Sequence, residues 1–128
     1  MIDKQLSEFL PDKNTSYFKE FDIPRSNTAI SKEEVIEKLK KVMDPEIPVN
    51  LYDLGLIYKI DIDPLNNICI DMTLTNPNCP VAGTMPENVG LAVGKIPHLS
   101  SIKVGLVWYP KWNKNMMSED AKLALDIF

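Results

Sequence analysis

Two stretches of the chain alternate in polarity with a period of two. Leu56, Tyr58, Ile60 and Ile62 fall on one side and Lys59, Asp61 and Asp63 on the other; Ile68, Ile70, Met72 and Leu74 then oppose Cys69, Asp71, Thr73 and Thr75. Alternation of this kind predicts half-buried strands, because successive side chains of an extended chain point to opposite faces. Pro64-Leu65-Asn66-Asn67 between them reads as a hairpin loop. A third alternating run, Ile102, Val104, Leu106 and Trp108, predicts another strand with those four residues inward. Helical spacing appears in three places. Val35, Ile36, Leu39, Val42 and Met43 predict an amphipathic helix over 32–43, opened by the capping-box pair Ser31 and Glu34 and stopped at Asp44-Pro45. Val89, Ala92, Val93 and Ile96 mark a second helix ended by Pro97. Its start is open between Pro80 at the first helical position, with Cys79 as cap, and a capping box at Thr84 and Glu87. Ser118, with Glu119 and Asp120 in the first turn, opens a last helix.

The order is therefore α-β-β-α-β-α. A strand–helix–strand crossover places the second and third strands parallel. The expected fold is a two-layer α/β (α+β) domain, a three-stranded mixed sheet covered by helices. Residues 1–30 lack a sustained period, mix acids with lysines and scattered aromatics, and carry Pro11 and Pro24. They read as a flexible or loosely packed N-terminal tail, with a short helix near Lys4–Leu10 as an option, and residues 31–128 read as the domain.

The 128 residues suit one domain, and 45% hydrophobic with 25% charged residues is an ordinary globular balance. Net charge is −4, and the lysines of 32–41 are interleaved with Glu33, Glu34 and Glu37. That pattern argues against a nucleic-acid or anionic-membrane surface, which needs clustered positive charge. No apolar run is long enough to span a bilayer, and the first residues lack a signal core, so a cytoplasmic location is expected. Two cysteines in a reducing compartment stay free, and no Cys69–Cys79 disulfide is expected.

The chemistry concentrates at Thr73-Leu74-Thr75-Asn76-Pro77-Asn78-Cys79-Pro80, a polar turn between a buried strand and a helix. A thiol at a helix start faces unpaired N–H groups and the positive dipole end, which lower its pKa and favour the thiolate that binds iron or attacks electrophiles. A small buried cysteine filling a corner is the competing reading. Cys69, mid-strand, reads as structural. One thiol cannot hold an iron–sulfur cluster, which wants four ligands, and no C-x-x-C or Cys/His cluster suggests zinc. Any cluster here needs donors from a second subunit (a homodimer), glutathione or a client. His98 reads as a surface loop residue, which disfavours a thiol enzyme. Asp44, Glu46 and Asp53 lie in the loop after the first helix, either near the thiol or satisfying turn amides. Trp108, Trp112, Met116 and Met117 lie in an aromatic and Met-rich stretch, suited either to partner contact or to covering the sheet edge.

Three motifs in order carry a resemblance. Asp44-Pro45-Glu46-Ile47-Pro48-Val49-Asn50-Leu51-Tyr52-Asp53-Leu54-Gly55-Leu56-Ile57-Tyr58 resembles an opening signature. Asp71-Met72-Thr73-Leu74-Thr75, followed by Pro77-Asn78-Cys79-Pro80-Val81-Ala82-Gly83, resembles a cysteine motif, and Val107-Trp108, Trp112 and Met116 through Leu125 resemble a characteristic ending. Together they resemble the SufT-type proteins of iron–sulfur cluster biogenesis, within a broader family that includes PaaD-like proteins. The resemblance implies a non-enzymatic accessory or carrier factor that matures iron–sulfur proteins beside SUF scaffold components. It implies a thiolate at Cys79 as ligand for transient iron or an iron–sulfur cluster, and Asp44, Pro45 and Glu46 as the acidic motif. Two alternatives stand beside it: a metal-free adaptor whose 108–117 and 44–55 loops dock apo-clients or the scaffold, and a PaaD-like factor for a ring-hydroxylating oxygenase. Tyr109 and Lys111 depart from the family's usual loop, Cys69 matches no motif, and the tail lies outside the resemblance.

Overall fold

The computed structural model describes residues 15–21, 29–44, 49–74 and 84–127. Strands β1 (Thr15–Glu20), β2 (Ile57–Ile62), β3 (Asn67–Met72) and β4 (Ser101–Leu106) form one sheet in the order β1-β4-β3-β2. β2 and β3 are an antiparallel hairpin, β3 and β4 run parallel across the expected crossover, and β1 is antiparallel to β4. Helices α1 (Lys32–Leu39), α2 (Thr84–Val93) and α3 (Glu119–Ile127) complete the described elements, with one 3₁₀ turn at Lys114–Met116. α2 lies against β4 and β1, and α1 leans on α2.

The sheet thus has four strands rather than three. The extra one comes from the stretch read as a tail: Thr15–Glu20 is hydrogen-bonded along β4, and the Phe21 amide continues the ladder to the Ser100 carbonyl. Its burial pattern is mixed, with Tyr17 and Phe18 half-buried beside exposed Ser16, Lys19 and Glu20. An edge strand with a bulge between Thr15 and Tyr17 shows little periodicity, which hid it. What holds it is tertiary. The Tyr17 ring lies where a Cβ on Gly90 of α2 would be, so the glycine lets the ring reach the helix backbone. Residues 4–10 lie outside the described residues.

The core sits between the sheet and α1–α2. Ile68, Ile70, Met72, Ile102 and Val104 point into it and meet Val35, Leu39, Val89 and Val93, all fully buried. The inward set on β3 and on β4 through Val104 is as expected, but these strands are not half-buried: Cys69, paired with Lys103, and Ser101 are buried as well. Three other expectations change. α1 ends at Leu39, not Met43, because the next turn tightens: Lys41 and Val42 donate to Lys38 and Leu39, three residues back. Met43 consequently leaves the apolar stripe and stands half-exposed, bridged to Asn50. On β2 a bulge at Tyr58 resets the phase, so Ile57 pairs with Met72 and Lys59 with Asp71. Trp108, expected inward, lies beyond the end of β4 and is 46% exposed.

The caps follow the sequence. Ser31 and Glu34 form the full capping box on α1. Ser118 Oγ accepts from the Ala121 amide at the start of α3. Within the described residues α2 runs from Thr84 to Val93, with Pro86 near its described start. The alternative start at Pro80, with Cys79 as cap, lies outside the described residues.

Candidate functional site at one end of the sheet

β2 begins where β3 and β4 end, so one end of the sheet gathers three chain segments. The Thr73 amide donates to the Leu56 carbonyl at 2.8 Å and the Val107 amide to the Met72 carbonyl at 2.8 Å, which extends the ladder past the strands. Thr73 and Leu74 are buried there. Cys79 lies five positions beyond Leu74 and five before Thr84. Cys79, with Thr75, Asn78 and Pro80, falls outside the described residues, as do Pro45 and Glu46.

The described part of the site is a junction between the 49–58 segment and the 107–118 loop. Asp53 and Asn50 hold each other: Asn50 Nδ2 donates to Asp53 Oδ2 at 2.7 Å, and the Asp53 amide donates to Asn50 Oδ1 at 2.8 Å. The Asp53 carbonyl accepts from the Ser118 amide at 2.8 Å, which fixes the entry to α3. The Asp53 carboxylate thus takes the Asn50 side-chain amide, and it is the Asn50 side chain that satisfies the turn amide. Asp44 donates its amide to the Val49 carbonyl at 3.1 Å, closing the base of the loop that carries the acidic motif. Gly55 has φ of 80°, and a Cβ there would overlap the Met116 carbonyl oxygen. Only glycine lets the two segments approach this closely.

The aromatic loop splits into two kinds of residue. Trp112 Nε1 donates to the Leu54 carbonyl at 2.7 Å and its ring packs on the core, and Met117 is buried in it. Tyr58 donates its hydroxyl to the Pro110 carbonyl at 2.7 Å and touches Met116 Sδ at 3.4 Å; burial raises the Tyr58 pKa. Trp112 and Met117, read as suited either to partner contact or to covering the sheet edge, are anchors that seat the loop, because each finds apolar or hydrogen-bonding partners in the domain. Trp108 and Tyr109 remain in solvent at 46% and 90% exposure. Sequence reasoning passed over Asn50 and Gly55 as individual residues. Their signal was a polar side chain three residues before Asp53 and a glycine in the Asp53-Leu54-Gly55 turn.

Cys69 is buried at 3% exposure, and burial pushes its thiol from an ordinary 9.0 up to about 11, with Lys103 opposing. Such a thiol stays protonated and is a poor ligand at neutral pH. Among the described residues no three His, Cys, Asp or Glu side chains gather as a metal site, and His98 is an exposed loop residue with φ of 69°. No helix among the described residues is long and apolar enough to cross a membrane.

The elements make a two-layer α/β domain with a four-stranded mixed sheet, and Cys79 falls in sequence between β3 and α2. The profile of the family described as "Iron-sulfur cluster assembly protein" matches residues 32–105, and the chain belongs to that family. It is 45% identical over 95 residues to a Porphyromonas gingivalis Fe-S protein maturation auxiliary factor, covering 74% of this chain and 90% of that protein. It is 38% identical to the Staphylococcus aureus Fe-S protein maturation auxiliary factor SufT, covering 67% and 98%. Among solved structures, a domain of unknown function from Bacillus anthracis superposes with a TM-score of 0.72 at 38% identity, covering 76% and 92%. Iron–sulfur cluster assembly is the function of this family.

Proposed function

We propose that this chain is a non-catalytic auxiliary factor that delivers iron or an iron–sulfur cluster to apo-clients through a thiolate at Cys79. The observation that carries the reading is the sheet end itself. The segment holding Cys79 departs from Leu74 at the end where Trp108 and Tyr109 stand in solvent and where the Asp44–Gly55 loop closes. A cysteine five positions along the chain from Leu74, on a domain with exposed aromatic side chains, supports transfer to a docked client. Cys69 is unsuited to share the cargo because its thiol is protonated and buried. With one usable thiol, the remaining donors come from a client, a scaffold component or a second copy of the chain. The names of the Porphyromonas and Staphylococcus relatives support a role in maturation.

The test is client maturation in cells carrying only Cys79→Ser, together with anaerobic reconstitution of the purified protein. Loss of client activity and loss of cluster absorption in the variant are expected. Full client maturation with Cys79→Ser would overturn the thiolate reading. The adaptor reading draws on the same exposure of Trp108 and Tyr109 without the thiol. It predicts that Trp108→Ala with Tyr109→Ala abolishes maturation while Cys79→Ser does not.

A further inference from the structure

A second surface lies on the outer, helical side of the domain. α1 and α2 leave between them an open cleft of about 370 Å³. On α2 and the turn that ends it, Asn88, Leu91, Ala92 and Lys95 line the cleft, at spacings of i, i+3, i+4 and i+7. That spacing places all four on one helix face. The opposite wall is the end of α1, with Lys38 and Lys41 beside Val42 and Met43. Leu91 is 50% exposed and Met43 52% exposed, so two large apolar side chains flank the same cleft in water.

The electrostatics of the cleft are opposite to those of the chain. Net charge is −4, yet among the described residues the lining carries three lysines and no acid. No carboxylate among the described residues pairs with Lys38, Lys41 or Lys95. The macrodipole favours Lys38, in the last turn of α1. It does not explain why Leu91 and Met43 stay uncovered between them. An apolar floor with a basic rim fits an amphipathic helix whose apolar residues repeat at i, i+3, i+4, i+7 and whose flanks are acidic.

We propose that the α1–α2 cleft docks an acidic amphipathic helical segment of a partner protein, as a third helix laid along the two. A polyanion is a poorer occupant. Nucleic acid or an anionic bilayer would meet the negative charge of the rest of the molecule, whereas a short acidic helix needs only the local rim. The surface is separate from the Cys79 segment and does not depend on its chemistry.

The test uses a synthetic peptide of about 14 residues, with leucines at i, i+3, i+4, i+7 and glutamates on the flanks, and a counterpart with lysines replacing the glutamates. Titrated into the full ¹⁵N-labelled chain, the acidic peptide is expected to shift amides of 38–43 and 88–95 and to leave the 107–118 loop unmoved. The basic peptide should shift none. Leu91→Glu, and Lys41→Glu with Lys95→Glu, should each weaken binding by roughly tenfold or more, and raising salt should weaken it further. Cys79→Ser should bind as wild type, which separates this surface from the proposed transfer site. Amide shifts centred elsewhere, equal binding of the two peptides, or lysine-dependent binding of phosphatidylserine vesicles or single-stranded DNA in place of the acidic peptide would each overturn the proposal.

Discussion

The two ends of the sheet are finished in different ways. At the end where β3 and β4 begin, short polar side chains close the structure. Asn66 is buried with φ of 63°; its Oδ1 accepts from the Ile30 amide at 3.1 Å and its Nδ2 donates to the His98 carbonyl at 3.2 Å. Asp63 accepts from the amides of Leu65 and Asn67, and Ser101 donates to Asn67. At the other end, large side chains do the work. Trp112, Met116 and Met117 seat a loop on Leu54 and Gly55, while Trp108 and Tyr109 are left in water. A network of small polar groups satisfies itself and offers a partner little. Unburied aromatics leave apolar surface to be covered, so function is expected at that end.

The largest expected effect comes from breaking the aromatic end at its tightest contact. Gly55→Ala adds a Cβ against the Met116 carbonyl at a positive φ, and backbone cannot yield as a flexible side chain would. A loss of about 3 kcal/mol in urea unfolding is expected. Breaking the polar end at Asn66→Ala should cost about 2 kcal/mol, because the Ile30 amide loses its partner and alanine dislikes the left-handed backbone. Asn66→Gly should recover the backbone part only.

Cys69, in the body of the sheet, sharpens the contrast between the two thiols. Its folded pKa is raised from 9.0 to about 11, so the unfolded chain loses the proton first. The stability this thiol contributes is complete below about pH 9 and is lost as pH rises toward about 11. Cys69→Ala should flatten the alkaline part of the stability curve. In a Cys79→Ser background, a thiol reagent at pH 8 should label nothing until the protein unfolds. Trp112→Phe keeps the packing but drops the bond to the Leu54 carbonyl, and should cost about 1 kcal/mol. Trp108→Ala with Tyr109→Ala should change stability least, within about 0.5 kcal/mol, because both are exposed. Client maturation should nevertheless fall, and an unchanged maturation rate would remove the functional distinction between the two ends.

Much was legible along the chain because the relevant physics is local. The period of two on Ile68, Ile70 and Met72 follows from one buried face, and the Ser31–Glu34 box and the Ser118 cap follow from unpaired helix amides a few residues away. The motif order around Asp44, Cys79 and Trp112 carried the family, and the profile match over 32–105 agrees with it. Other features depend on residues far apart and leave no local period. β1 exists because Tyr17 finds Gly90 and an open edge of β4. The Tyr58 bulge follows from pairing with β3, and α1 stops at Leu39 where the chain turns toward the Met43–Asn50 bridge. The division of the aromatic loop was equally nonlocal: Trp112 and Trp108 are alike in sequence, but only one has the Leu54 carbonyl in reach.

By itself the sequence determined most of the helices and strands, the caps that open α1 and α3, and which cysteine-bearing turn stands out, since propensity, periodicity and caps act within a few residues. Tertiary structure alone decided that a fourth strand joins the edge, which aromatics anchor and which face solvent, and that a basic, apolar-floored cleft opens between α1 and α2. Those outcomes depend on surfaces meeting across long stretches of chain, and the free energy of such meetings belongs to the packed assembly rather than to any segment.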